Sequence, residues 1–409
     1  MSSFIRKACT VASGSVISAL AFGAAQAADL GGNCCADLEE RVAELEATTV
    51  RKGNRKVSLT VSGHVHEALF FFDVDATNTD NSVSEFNANE SNVYIGTHNS
   101  SRSRFRFRGS ASINAEWSAG FYMEFGVRRN ALNATSQGAP RVTTGIDIRH
   151  EALWVKSKTY GTVWLGWTGS ATEGITEICL GCTLGNASPD YSFLVNNLIT
   201  GNGDRFVEHG SASGFFAGEG DRRNMVKWIS PTLAGFSLSA SWGGDDFWDA
   251  ALRYAGEFGA IRVAAGVGYQ EGTNGINTEG VSAAGGCPTN AVGGDSDRRC
   301  QAFGASASIM HTPTGLYVMG SYGQNHNDLA TNDQDTDDGW WVTAGISTKL
   351  NSLGKTNFWA SYSDNDREID LAPGAERALT SYGLGVDQKI DAAAMEVYLW
   401  WRHYEAEAA

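Results

Sequence analysis

Beyond its first 27 residues the 409-residue chain has no long apolar run. A membrane-crossing helix needs about 18 to 20 such residues, so any crossing of a bilayer must be made by strands. Proline is scarce, at six residues against 48 glycines, 12 tryptophans, 12 tyrosines and 19 phenylalanines. That balance suits many strands, tight turns and aromatic belts better than packed helices. Positive charge is also in deficit, with 31 Lys and Arg against 46 Asp and Glu and a net charge of -15. A nucleic-acid partner is therefore not expected. No G-x-S-x-G, H-E-x-x-H or phosphate-loop motif occurs, and the eight histidines are dispersed. Nothing composes a catalytic site, and neither a cofactor nor a metal site is expected. His64 and His66 share one strand face and read as wall lining rather than metal ligands.

What the chain does have begins with Arg6 and Lys7, an apolar stretch from Val11 to Ala25, and Ala25-Gln26-Ala27. This is the pattern of a cleaved secretory signal over residues 1–27, so the remainder is read as exported. Residues 28–55 follow as an N-terminal segment with a short helix, in which Leu38, Val42, Leu45 and Thr49 repeat at coiled-coil spacing. Outside the signal the cysteines are Cys34, Cys35, Cys179, Cys182, Cys287 and Cys300. Their even number in an exported chain favours disulfides, with Cys179 and Cys182 closing one loop and Cys287 and Cys300 a second. The adjacent Cys34 and Cys35 are not assigned.

From residue 56 to the end the sequence reads as strands. Between Arg104 and Trp117, an apolar set of Phe105, Phe107, Gly109, Ala111, Ile113, Ala115 and Trp117 alternates with Arg104, Arg106, Arg108, Ser110, Ser112, Asn114 and Glu116. Successive side chains of a strand point to opposite faces, so this is one long strand with unlike sides. A turn at Ser118-Ala119-Gly120 would set Ile113 opposite Phe125 and Asn114 opposite Glu124, apolar against apolar and polar against polar. Strands this long, with one greasy face, suit a bilayer: lipid outside and water within.

About fifteen such strands are legible, joined alternately by long and short connections, although single-chain barrels of this kind have an even number. The longest connection, residues 169–222, is mainly acidic and is expected to fold into the lumen. Arg104, Arg106 and Arg108, joined by Arg128, would be too costly against lipid and are placed on the inner wall, where they filter solutes by charge. Asp333 to Gly339 is spaced wrongly for a calcium loop and reads as solvated.

The start A-A-D-L-G-G-N-C-C-A-D-L-E-E-R-V-A-E-L-E, the run S-R-F-R-F-R-G-S-A-S-I-N-A-E-W and the block S-P-T-L-A-G-F-S-L-S-A-S-W-G resemble alphaproteobacterial porins. The resemblance covers nearly the whole exported chain. It implies an all-β transmembrane antiparallel barrel of nominally about sixteen strands. It further implies a homotrimer in the Gram-negative outer membrane, in contact with lipid and lipopolysaccharide, passing small hydrophilic solutes and ions by passive diffusion. Its third loop would bend into the pore opposite a basic wall, which assigns Arg104, Arg106, Arg108 and Arg128 to the wall and Glu173, Glu177, Asp204 and Glu208 to the loop. Such porins end in an aromatic residue, whereas this sequence ends at Ala409 after Tyr404. Together with the odd strand count, this leads to the expectation that a closing strand is missing. Three other readings remain: a solute-selective channel using an aromatic track of Trp164, Trp340, Trp341 and Trp400, a structural or adhesive barrel with a plugged lumen, and, last in order, an outer-membrane hydrolase.

Overall fold

The computed structural model describes residues 9–13, 57–76, 90–142, 145–183, 194–200, 205–206, 216–244, 246–273, 299–327, 336–368 and 376–408. The helix expected in residues 28–55 lies outside them, as do Cys34, Cys35, Cys287, Asp204 and Glu208. The described residues form eighteen strands and two 3-10 turns.

After β1 (Cys9–Ser13), the chain crosses in β2 (Ser58–His64) and β3 (Glu67–Ala76), then returns in β4 (Glu90–Thr97) and β5 (Arg104–Ser112). The wall continues through β6 (Trp117–Val127), β7 (Ile146–Ser157), β8 (Gly161–Gly169), β9 (Arg222–Ile229), β10 (Phe236–Gly243) and β11 (Trp248–Phe258). It is completed by β12 (Ile261–Thr273), β13 (Arg299–His311), β14 (Leu316–Asn327), β15 (Thr336–Thr348), β16 (Thr356–Arg367), β17 (Arg377–Ile390) and β18 (Met395–Ala408). From β5 to β18 every strand pairs antiparallel with the next. In hydrocarbon each backbone N–H and C=O must find a partner within the protein, and an antiparallel barrel supplies one for nearly all of them.

Counting β2 with β3 and β4 with β5 as single interrupted crossings, and setting β1 aside, leaves fifteen crossings. An odd number makes the first and last crossings run the same way. The space between β18 and β3 is taken by β1, antiparallel to both, with Thr10 opposite Glu405 on one side and Asp75 on the other. This strand falls within the residues read from the sequence as a secretory signal.

The two faces of the wall are inverted relative to a water-soluble protein. Val61, Ile95, Leu165 and Leu384 are 63%, 67%, 50% and 58% exposed, whereas Ser239, Ser306, Ser308, Asn325, Ser361 and Ser363 are buried. An aqueous solvent would draw the first group inward and the second outward; a lipid solvent outside the wall leaves them where they stand. Phe105 and Phe125 stack on the outer face with ring centroids 5.0 Å apart, next to Phe107.

The hairpin of β5 and β6 differs from the expected register. Ser112 faces Ser118 and Arg106 faces Glu124, so the turn lies at Ile113–Glu116 rather than at Ser118-Ala119-Gly120. Asn114 makes the turn: its side-chain oxygen accepts the backbone N–H of Glu116 at 2.9 Å and of Trp117 at 2.8 Å, a local bond that asparagine forms readily. Gly120 serves packing instead of turning. A Cβ there would lie 2.1 Å from the Gly109 carbonyl oxygen and 2.5 Å from the Trp154 ring.

Gly120→Ala is accordingly expected to cost about 1–3 kcal/mol, the usual range for overpacking. Gly145→Ala, where an added Cβ meets nothing within 4 Å, should be neutral. Urea unfolding of the detergent-folded proteins followed by tryptophan fluorescence checks this, and equal midpoints would refute the packing role.

Candidate functional site: a basic wall and an inward loop

Because side chains in register on neighbouring strands share a face, the inner wall can be read in rows. One row runs Ser62, Arg106, Glu124 and His150 across β2, β5, β6 and β7, and the His150 ring meets the Thr168 hydroxyl of β8 at 3.1 Å. The next, nearer the short turns, runs Thr60, Arg108, Tyr122, Ala152 and Gly166. Glu124 is the hub. Only 1% exposed, its carboxylate accepts from Arg104 at 3.0 Å, from Arg149 at 2.6 Å, from the Tyr122 hydroxyl at 2.6 Å, and from Arg106. One carboxylate thus fastens three guanidinium groups. A charge-assisted bond of this kind is about twice as strong as a neutral one, and the planar guanidinium fork fixes its direction.

Arg149 reaches the hub through a bulge. The pairing of β6 with β7 slips between Glu124 and Phe125, so that Glu124 faces His150 while Phe125 faces Ile148. An extra residue of this kind re-aims a side chain, and Arg149 and His150 both serve the inner wall. Nearer the long connections, Arg102 pairs with Asp147 at 2.8 Å and Arg128 with the same carboxylate at 3.6 Å. Arg104 and Arg106 therefore meet at the hub, Arg128 belongs to a neighbouring pair, and Arg108 lies apart from both, with its guanidinium 6.0 Å from the centre of the Tyr122 ring.

The long connection does enter the barrel, and hydroxyl, amide and carboxylate groups of the opposite wall hold it there. Thr172 donates its N–H and its hydroxyl to Asp249, each at 2.8 Å. The N–H groups of Ile178 and Leu180 donate to Ser306 and Ser308, each at 3.1 Å. Arg253 donates to the carbonyl oxygens of Ala171 at 2.7 Å and Glu173 at 2.8 Å. The returning limb is held where the Gly218 N–H donates to Asn325 at 2.9 Å and Gln270 donates to the Glu219 carbonyl at 3.0 Å. Each of these partners is an inward polar residue of β11 to β14 that a strand facing lipid could not carry.

Glu219 ties the two limbs together. Its buried carboxylate accepts the Thr176 N–H at 2.9 Å and also the Thr176 hydroxyl and the Gly174 N–H. Burial, with Glu177 nearby, pushes this carboxyl up to about 8. Among the loop acids expected to face the wall, Glu173 does so, in an ion pair with Arg222 at 3.2 Å, whereas Glu177 stands beside Glu219. Cys179 and Cys182 are joined as a disulfide within the loop, and Cys179 packs against Phe216, Met319 and Trp341. Cys300 is disulfide-bonded as well.

A second part of the loop, Leu194, Val195, Leu198 and Phe206, packs into an apolar cluster with Phe70, Phe72, Tyr398, Trp400 and Tyr404 of the inner wall. One flank of the lumen is therefore dry. The aromatic track is not formed: Trp340 is 42% exposed on the outer face, Trp341 is fully buried under the loop, and Trp400 belongs to the apolar cluster. Trp164 alone of the four lies in a wall recess with Arg106 and Arg108.

Sequence reasoning missed Glu124 as hub, together with Arg149, Arg102, Arg222 and Lys227. Alternation already put Glu124 on the polar face, but its partner depends on register. Arg149 had no signal in the alternation, because the bulge interrupts it.

A family model described as Gram-negative porin matches residues 12–407. No curated protein matches the chain in sequence. Among solved structures, the chain is similar to the in-vitro folded, trimeric form of OmpT of Vibrio cholerae, with 13% identity, a TM-score of 0.48, and 87% of this chain and 100% of that one covered. It is also similar to OmpF of Salmonella typhi in complex with daunomycin (11% identity, TM-score 0.46, 86% and 97% covered). A third is OprB of Pseudomonas putida at high pH (11% identity, TM-score 0.46, 91% and 97% covered).

Two outcomes follow from the wall and the loop. Glu124→Gln leaves three guanidinium groups without their shared counter-charge and should destabilise the protein by about 3–5 kcal/mol; a loss under about 1 kcal/mol in urea unfolding would contradict the hub. The Glu219 carboxyl, raised in the folded loop to about 8 from an ordinary value of 4.5, contributes stability that is complete at acid pH and lost as pH rises through 8. Hydrogen exchange at the Gly174 and Thr176 amides should therefore speed up beyond the intrinsic rate between about pH 5 and 8 and gain no further excess above it, and Glu219→Gln should remove that excess.

Proposed function

Since the match over residues 12–407 makes this chain a member of the Gram-negative porin family and so an outer-membrane protein, we propose that it is a water-filled channel for passive diffusion of small hydrophilic solutes, with a preference for anions. The observation that carries the reading is the imbalance of charge on the inner wall along β5 to β9. Arg102, Arg104, Arg106, Arg128, Arg149 and Arg222 share the carboxylates of Glu124, Asp147, Glu173 and Asp221. Arg108 and Lys227 add two cations that make no ion pair among the described residues. A basic surface in a confined aqueous passage raises the local concentration of anions and repels cations, and confinement weakens the screening that salt provides in bulk.

The mechanism needs no covalent step. The wall presents fixed guanidinium groups that replace part of the water around a passing anion, and the loop, pinned to β11 to β14, narrows the passage on the facing side. The chain's overall charge of -15 does not oppose this. Selectivity is set by the groups nearest the passing ion, and beyond a Debye length of about 8 Å at physiological ionic strength other charges count for little. The proposal extends to a homotrimer in contact with lipid and lipopolysaccharide, supported by the family's usual assembly.

Planar-bilayer recording under a potassium chloride gradient tests this. The native channel should give a reversal potential on the anion-selective side, and replacing Arg104, Arg106 and Arg108 together by alanine should move it toward cation preference. An unchanged potential would remove those residues from the filter, and absence of conductance from folded protein would favour the plugged-barrel reading.

A further inference from the structure

We propose that a recess in the inner wall, on the short-turn side of the Glu124 hub, is a binding site for small aromatic carboxylates. The proposal rests on the channel reading only in that a solute must reach the lumen to meet the recess.

The recess measures about 500 Å³ and is bordered by Arg106, Arg108, Tyr122, Trp164 and Lys227, with hydroxyl groups from Thr60, Ser62 and Thr168. This volume lies within the range of small-molecule sites, roughly 300–1,000 Å³. Its position follows from the rows of the wall. Arg108 stands between Thr60 and Tyr122, and Trp164 stands opposite Lys227. The positions that join these two groups in the Arg108 row are Ala152 and Gly166, which carry little or no side chain. Large groups therefore stand around a gap.

The lining chooses the ligand class. Arg108 and Lys227 make no ion pair among the described residues. Arg108 is exposed, and Lys227 donates to the carbonyl oxygen of Gly169 while retaining further donors. Both are free to take an anionic group, and an arginine fork matches the two oxygens of a carboxylate. A mineral anion needs no more than this. Trp164 and Tyr122 add two half-buried ring systems beside the cations, and aromatic pairs are stabilised beyond the area they bury. A planar ring bearing a carboxylate uses both features, while a neutral ring or an aliphatic anion uses one. Arg108 already lies near the Tyr122 ring, so a carboxylate drawn to its guanidinium is brought beside that ring.

The test compares potassium benzoate with potassium acetate, equal in charge, as additives to the chloride current of the native channel in planar bilayers. Benzoate should reduce the current saturably, at about tenfold lower concentration than acetate. Trp164→Ala should bring benzoate to the acetate level, whereas Arg108→Gln and Lys227→Gln should weaken both anions. Equal action of the two anions on the native channel, or benzoate block unaltered by Trp164→Ala, would overturn the proposal and reduce the recess to a stretch of charged wall. Should the folded protein conduct nothing, the channel reading fails by itself. Quenching of tryptophan fluorescence by benzoate against acetate in detergent then decides the recess separately, with Trp164→Phe as the variant that keeps a ring in place.

Discussion

Hydrocarbon offers no partner to a backbone N–H or C=O, and this fixes nearly everything else about the molecule. The strands are long, up to fourteen residues in β17 and β18, because each must carry its ladder across the whole apolar layer. The same demand that turns leucine and valine outward leaves serine, asparagine and arginine on the inside, where they are available to bind a loop. The inward loop is thus a product of the barrel's solvent. Asp249, Ser306, Ser308 and Asn325 would be surface residues in a water-soluble sheet; here they are anchoring points.

The hub at Glu124 shows why charge in such a lumen must be examined in groups. Three guanidinium groups converge on one carboxylate, so the cluster keeps net positive charge while each member is held in place. An isolated arginine on the wall would spend its time among rotamers and would have to be ordered by each passing solute. Held by Glu124, the wall presents a field that is already arranged, and the cost of ordering was met during folding.

How much of this was legible in the sequence depends on what each signal measures. Alternation gave the correct face for Phe105, Phe107, Phe125 and the arginines, because period two reports side-chain direction and nothing further. It could not give the hairpin register. Any even shift keeps apolar against apolar, so pairing Asn114 with Glu124 satisfied the pattern as well as pairing Arg106 with Glu124 did. The signal that could have decided was Asn114 itself, a turn-former lying in the middle of an assumed strand, while Gly120, taken for a turn residue, is the small residue that Trp154 needs beneath it. Bulged Arg149 lay beyond the reach of any periodic rule. The loop's acidity was readable, but which acid meets the wall depends on how its limbs are tied at Glu219, a contact between residues more than 40 positions apart.

The apolar cluster that joins Leu194, Leu198 and Phe206 to Phe70, Phe72 and Trp400 makes the lumen lopsided. With one flank filled, the open bore no longer coincides with the axis of the cylinder, and its calibre is decoupled from the circumference. Adding or removing strands is the only way to resize an empty tube; here exchanging a few greasy residues in a single connection would regauge the passage while the surrounding staves stay as they are. Evolution of permeability in such a molecule can therefore proceed one substitution at a time.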